Sequence, residues 1–328
     1  MQKPDVTVVM LPRERFSFTQ RSIESLYEDQ RVPFNFICID GGSPRKVRNY
    51  LRLESARRGF KLIRTPYFLT PHEARNLAFD HIKTKYVVFV DNDVVFAPMW
   101  LEHLVKCAEE TDAAIVAPLT CIGEIPHTII HMAGGDASIT VEDGKRIFRE
   151  KHFFYDRPVA EVQDQLMRKQ IELAEYHCML VKTEWLKRLG RFDEGLKAAH
   201  EHTDFCLTVR EHGGLIVIEP RAIVTQIFGP PLFFSDLKFF FCRWCDEWTI
   251  DSERYFHKKW GTVFDDTTWR IFVLPRRRFA LPRFREMVRT YAGWRISEWL
   301  LNQVVCVLTW LAQRERPMII EGAKHISD

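Results

Sequence analysis

The chain has 328 residues, 46% apolar and 28% charged, which suits one large domain or a domain with an appendage and excludes a disordered protein. A formal net charge of +3 is too slight to indicate nucleic-acid binding, and no recognisable binding module accompanies the basic residues. Of the eight cysteines only Cys242 and Cys245 have metal-ligand spacing; they sit among Phe and Trp and read, like the others, as buried thiols of a reducing compartment.

Val6 to Leu11 reads as a first strand ending at Pro12, its apolar run too short for a signal peptide. Thr19 to Glu28 has helical spacing, Phe34 to Ile39 is a second buried strand running into Asp40-Gly41-Gly42, and Val47 to Arg58 is helical. Leu62 to Arg64 is a short strand and Pro71 to Lys83 a helix. The run from Tyr86 to Val90 is short, β-branched and aromatic, and ends in Asp91-Asn92-Asp93, so it reads as a buried strand carrying two carboxylates at its end. Val94 to Phe96 is apolar again, Trp100 to Thr111 is helical, and Ala113 to Pro118 is the next strand. Residues 121–175 carry Gly134-Gly135 and Gly144 and read as hairpins in a surface excursion. Tyr176 to Val181 is a strand, Thr183 to Leu189 and His200 to Glu211 are helices, and Leu215 to Glu219 is a strand stopped by Pro220.

Alternating strands and helices over the first 120 or so residues argue for a parallel sheet with helices on both faces. Ligands bind such sheets beyond the carboxyl ends of the strands, where Pro12, Asp40 and Asp91 all fall. An Asp-x-Asp at a strand end suits a hard divalent cation, magnesium or manganese, which in turn grips nucleotide phosphates.

In order, the segments VTVVMLPRERFS, FICIDGGSP, PHEARNLAF, YVVFVDNDVVFAPMW, EYHCMLVKTEWLKRLGRFDEG and EHTDFCLTVREHGG resemble the family 2 glycosyltransferases over roughly residues 5–265. The resemblance implies an α/β GT-A fold, a Rossmann-like, mixed, mostly parallel sheet flanked by helices. The predicted organisation is a GT-A domain over 1–265 and an Arg-rich, amphipathic helical extension over 266–328. It also implies inverting transfer from a nucleotide-sugar, UDP-linked, to a hydroxyl of a glycan or lipid-linked acceptor, with Mn2+ or Mg2+. Residue by residue, Pro12, Asp40, Arg75, Asn76 and Asp91 match the donor-binding positions, and Asp91 and Asp93 the metal motif, with Asp93 directly on the metal.

Family members often carry Glu-Asp-x-Asp on the acceptor side. This chain has Glu201-His202-Thr203-Asp204, so His202 occupies the position of the usual base between two carboxylates. A carboxylate, Glu201 or Asp204, is expected to take the acceptor proton, with His202 assisting it or contacting metal or phosphate. A second departure is Gln226, near where some relatives have a metal-binding histidine; His127, His131, His152 and His177 are the other imidazoles available. Trp100 suits either stacking on an acceptor sugar or core packing. The departures keep open a catalytically impaired nucleotide- or glycan-binding protein. A sugar nucleotidyltransferase is disfavoured, because PRERFS lacks the glycines of a triphosphate loop.

Asp236 to Trp260 is dense in aromatic residues and reads as helix packed over the acceptor side. From Arg270 to Arg316 arginines dominate. Within this stretch Ile296, Trp299, Leu300, Val304, Val307, Leu308 and Leu311 share one helical stripe. That stripe fits an interfacial helix on an anionic membrane, a helix docked on the main domain, or a dimer seam. The resulting localisation is cytoplasmic, with a peripheral position on the inner membrane face open.

Overall fold

Strand β1 (Val6–Leu11) is buried at every residue, and its side chains alternate between two cores, Val9 and Leu11 on one face of a sheet, Val6, Val8 and Met10 on the other. A strand covered on both faces needs a near-continuous apolar run, which is the pattern that makes it legible. The computed structural model describes residues 5–28, 31–227, 232–265, 271, 273–279 and 281–324.

After β1 come α1 (Thr19–Tyr27), β2 (Phe34–Gly41), α2 (Arg45–Arg58), β3 (Lys61–Thr65), α3 (Pro71–Phe79), β4 (Tyr86–Asp91), β5 (Val94–Phe96), α4 (Trp100–Thr111) and β6 (Ile115–Ile122). The excursion holds β7 (Ile130–Met132), the hairpin β8 (Gly135–Glu142) and β9 (Lys145–His152), α5 (Val159–Val162) and β10 (Lys169–Gln170). Then follow β11 (Cys178–Lys182), α6 (Thr183–Leu189), α7 (Glu201–Glu211), β12 (Ile216–Gln226), α8 (Phe234–Arg243), α9 (Asp246–Trp260), α10 (Leu274–Phe279) and α11 (Pro282–Lys324).

The main sheet runs β10-β12-β6-β11-β4-β1-β2-β3, with β5 on β12 and β7 on β6. It is parallel across β4-β1-β2-β3 and between β6 and β12, while β11 is antiparallel to both its neighbours. The ends of β1, β2 and β4 therefore lie side by side, as expected for Pro12, Asp40 and Asp91.

Helix α3 starts with a capping box, Thr70 accepting from the Glu73 amide while Glu73 accepts from the Thr70 amide, with Pro71 in the first turn. It ends at Phe79, four residues short of the expected Lys83. The expectation that β12 stops at Pro220 is corrected. The strand continues to Gln226 through a register shift between Glu219 and Ile223, where an irregular pairing needs no ladder bond from proline. That continuation puts Gln226 opposite Val94, and the Ile227 amide donates to the Asp93 carbonyl at 2.9 Å. Residues 228–231 of the same segment lie outside the described residues.

The aromatic segment forms two helices rather than one. Phe239, Phe240, Phe241, Trp244 and Trp248 form a third core, with Phe16 from the β1 end and Leu301 from α11. Cys242 and Cys245 are buried within it. Helix α11 breaks at Gly293, whose φ of 78° belongs to the left-handed region, and across the break Ser297 Oγ donates to the Arg285 carbonyl at 2.9 Å. The predicted stripe is split: Ile296, Trp299, Val307 and Leu311 are exposed, Leu300 and Val304 are half-buried, and Leu308 packs with Leu301 on the aromatic core. Arg270 and the side chains of Arg278, Arg283, Arg314 and Arg316 lie outside the described residues. Among the described residues no helix is long and apolar enough to cross a membrane.

Candidate functional site

The β4 end carries the acids. Asp91 and Asp93 are both buried, at 4% and 1% exposure, although carboxylates are seldom buried without partners. Between them Asn92 is structural. Its Oδ1 accepts from the Arg13 amide at 2.8 Å, and its Nδ2 donates to the Arg15 carbonyl and Thr19 Oγ1, fixing the loop after β1.

That loop delivers Arg13. Its Nε lies 3.6 Å from Asp91 Oδ2 and its Nη1 3.4 Å from Glu201 Oε1, so one guanidinium joins β4 to the start of α7. Burial alone would depress the Arg13 pKa, but Asp91, Glu201, Glu14 and Asp93 together raise it. Asp91 Oδ2 also accepts from His177 Nδ1 at 2.8 Å. Burial works against the imidazolium there, yet the hydrogen bond to Asp91 and the charges of Glu175 and Asp91 raise the His177 pKa.

Asp93 is different. Its Oδ1 is buried with no hydrogen-bond partner. Burial first, then the charges of Asp91 and Glu14, push its pKa up to about 8. A buried carboxylate oxygen aimed at nothing, beside a second carboxylate, is the donor set a hard dication takes.

Asp40 ends β2 and is 1% exposed. Its Oδ1 accepts from the Ser43 amide at 2.9 Å, and its Oδ2 is 3.0 Å from Arg64 Nε, a charge contact without hydrogen-bond alignment. Pro12, Asp40, Asn92 and Thr19 line one small cleft. The cleft lies by the strand ends.

Helix α7 supplies Glu201, His202 and Asp204, and the structure separates them. His200, just ahead of them, has φ 58°, a strained value for a residue with a Cβ. It is held by donating to Glu253 at 2.9 Å and by stacking on Phe256 at 4.3 Å. Glu201 faces Arg13 and, at 3.5 Å, Arg243 Nη2. Burial would raise its pKa, but Arg243, Arg13, His202 and Arg75 together hold it well below the usual carboxylate range. Asp204 points elsewhere. Lys259 Nζ and Trp260 Nε1 both donate to it at 2.9 Å, tying α7 to α9. His202 Nε2 is buried without a partner, and burial lowers its pKa against the opposing charges of Glu150, Glu175 and Glu201.

Arg75 lies beneath this group, 1% exposed, its Cζ 3.4 Å from the centre of the Tyr176 ring, with Nε and Nη1 unpartnered. It feels the charges of Glu201 and Asp91, while Glu73, its nearest acid in sequence, caps α3 instead. Asn76, expected at the donor, is engaged elsewhere. Its Oδ1 accepts from the Phe192 amide at 2.9 Å, and its Nδ2 donates to the Phe192 carbonyl and Glu194. Trp100 is core, 4% exposed and 4.4 Å from Phe96.

Sequence reasoning missed Arg13, Glu14, Glu175 and Arg243. Arg13 follows directly on a strand end and was findable by position. Arg243 sits in an aromatic helix, 1% exposed, and its Nη1 donates to the Ala198 carbonyl at 2.6 Å. Burial, then repulsion from Arg13, lowers its pKa to about 10.

Residues 7–190 match the family described as Glycosyl transferase family 2. Among curated proteins, the chain is 26% identical over 222 residues to the "Pre-mycofactocin glycosyltransferase" of two Mycobacterium tuberculosis strains, covering 68% of this chain and 42% of each relative. The chain thus spans about two fifths of the length of those relatives. Among solved structures, one of GalNAc-T7 with UDP, GalNAc and Mn2+ superposes with a TM-score of 0.53 at 15% identity, covering 90% of this chain and 57% of that one. At that identity the likeness establishes the fold, GT-A.

Proposed function

The chain belongs to glycosyl transferase family 2, and we propose that it transfers a sugar, with inversion, from a UDP-sugar to a hydroxyl of a glycan or lipid-linked acceptor. The observation that carries this reading is the buried, unpartnered Asp93 Oδ1, next to Asp91 and one strand away from the Asp40 cleft. Asp93 and Asp91 fit a divalent cation, Mn2+ or Mg2+, and would hold it. When bound, that ion offsets the charge of the departing diphosphate.

The chain's own residues do the rest. Asp40 accepts from a ring N–H of the base in the cleft lined by Pro12. Arg13, between Asp91 and Glu201, and Arg243, against Glu201, are the cations beside the acids that would offset the charge of the diphosphate, with Arg75 beneath. The acceptor oxygen attacks the anomeric carbon, the bond from that carbon to the diphosphate oxygen breaks, and the acceptor proton goes to His202 Nε2. His202 suits this role because burial favours its neutral imidazole and Nε2 is unpartnered, whereas both Lys259 and Trp260 occupy Asp204. Glu201 holds the two arginines in place.

Turnover of a nucleotide-sugar panel with Mn2+ tests this. H202Q should lower kcat while UDP affinity stays unchanged, and D204N should act through stability. A folded D204N without turnover, alongside an active H202Q, would move the proton to Asp204. UDP binding with no turnover of any donor would favour a sensor.

For the acceptor side we propose that α11 rests on an anionic lipid surface. Tyr291, Trp294 and Trp299 are exposed beside Arg289 and Arg295, an aromatic and cationic mixture suited to a headgroup layer. Co-sedimentation with phosphatidylglycerol vesicles but not phosphatidylcholine vesicles, reduced in a W294S/W299S variant, is the expected result. Equal sedimentation with both, or no effect of the variant, overturns it.

A further inference from the structure

We propose that His131, His152 and Glu175 form a second cation site, for a borderline divalent ion of the Zn2+ or Co2+ class, separate from Asp91 and Asp93. One ligand atom from each of the three lies within 4.8 Å of the others. Ligand atoms around a tetrahedral zinc stand about 3.4 Å apart, given metal–ligand distances near 2.1 Å, so small side-chain adjustments close the site. Two imidazoles and one carboxylate favour zinc or cobalt over magnesium.

The three residues are far apart in sequence and come from two strands and a loop. His131 is the middle residue of β7, His152 ends β9, and Glu175 precedes β11. Two glycines allow the approach. A Cβ on Gly135 would sit 2.5 Å from the Lys151 carbonyl oxygen, and one on Gly134 2.7 Å from Ile171 Cγ2, where φ is also 76°. The β9 end can thus close onto the 171–175 segment.

The polar contacts within the cluster leave atoms unused. Glu175 Oε2 lies 2.9 Å from His131 Nε2, an ion-pair contact, and 3.7 Å from His177 Nε2. His131 Nδ1 is buried and unpartnered. His152 Nε2 donates to Glu150 Oε1 at 3.0 Å, and the His131 and His152 rings stand 5.4 Å apart, edge to face. A carboxylate oxygen set between imidazoles, with His131 Nδ1 left over, is placed as a ligand atom is. His177 separates the two sites, with Nδ1 on Asp91 and Nε2 towards Glu175.

Three protein ligands leave a coordination position for water or another oxygen ligand. The ion also staples the excursion carrying β7 and β9 to the strand beside Asp91. Neither consequence depends on sugar transfer.

The test uses the full chain, stripped with a chelator and titrated with Zn2+ or Co2+ alone. Co2+ should develop visible absorption bands of low-coordinate geometry. H131Q and H152Q should weaken binding by more than the roughly 10- to 100-fold typical of losing an outer-shell partner, while D93N leaves the bands intact. Circular dichroism checks that all three variants are folded, and retained Mn2+ binding adds a second check for the two histidine variants; H152Q, at a hairpin end, is the backup should H131Q misfold. Absence of Co2+ bands, or their loss in D93N with retention in both histidine variants, overturns the proposal.

Discussion

Replacing Asp93 by Asn should stabilise the metal-free protein, an unusual result for a change at a proposed active site. In the absence of metal, burial and the neighbouring charges of Asp91 and Glu14 lift the Asp93 pKa from 3.8 to about 8. A carboxyl with a raised pKa binds its proton more tightly folded than unfolded. Its contribution to stability is complete below the unfolded value and is lost as pH rises, levelling off above about 8. At 1.36 kcal/mol per pH unit the ceiling is about 6 kcal/mol, and structural relaxation with water entry at the buried site reduces this to roughly 2–3 kcal/mol. Asparagine keeps the shape and carries no charge at any pH. The D93N advantage should therefore be small near pH 5 and reach about 3–5 °C in Tm at pH 8, at roughly 1.5 °C per kcal/mol for a chain of 328 residues. Thermal denaturation in EDTA at several pH values measures the difference. Saturating Mn2+ should raise the wild-type Tm and leave D93N nearly unchanged. A D93N protein less stable than wild type in EDTA at pH 8, or a gap independent of pH, would refute the reasoning.

N76A should cost about 3–4 kcal/mol, because it strands the buried Phe192 amide and carbonyl and frees Glu194, with UDP affinity in the folded fraction unchanged by calorimetry. Loss of UDP binding by a fully folded N76A would return Asn76 to the donor site. D40A should weaken UDP binding by about 10- to 100-fold, the loss of a charge-assisted hydrogen bond, without altering Mn2+ affinity in the absence of nucleotide. An unchanged UDP affinity would remove Asp40 from the base pocket.

The strand ends were legible because β1, β2 and β4 are covered on both faces and so appear as apolar runs that stop at Pro12, Asp40 and Asp91. The partners of those acids were not. Arg243 lies among Phe239, Phe240, Phe241 and Trp244, and nothing in a helical aromatic segment marks one cation as buried against Glu201. Asn76 beside Arg75 resembles a donor-binding pair, yet its amide meets a loop 116 residues away. Glu201 and Asp204 share a motif, but α9 claims Asp204 through Lys259 and Trp260, a contact that spacing within α7 does not encode. His131, His152 and Glu175 have no regular spacing, and only the paired glycines at 134 and 135 hinted that the backbone comes close there.

The charges around Arg13 set how the two ligands depend on each other. Asp91, Asp93, Glu14, Glu201 and Glu175 are faced by Arg13, Arg75, Arg243, Arg276 and His177, so the group is near balance when empty. A dication alone adds positive charge next to buried guanidinium groups. A diphosphate alone adds negative charge next to buried carboxylates. Together they cancel, so each should tighten the other. Because binding linkage is reciprocal, the factor by which Mn2+ tightens UDP must equal the factor by which UDP tightens Mn2+, on the order of 10- to 100-fold. Calorimetric titrations in both orders measure the two factors. R243M removes one cation opposing the metal, and should tighten Mn2+ in the absence of UDP while weakening UDP. Independent binding of the two ligands in wild type, or an R243M that weakens both alike, would show that the arginines serve the fold and not the diphosphate.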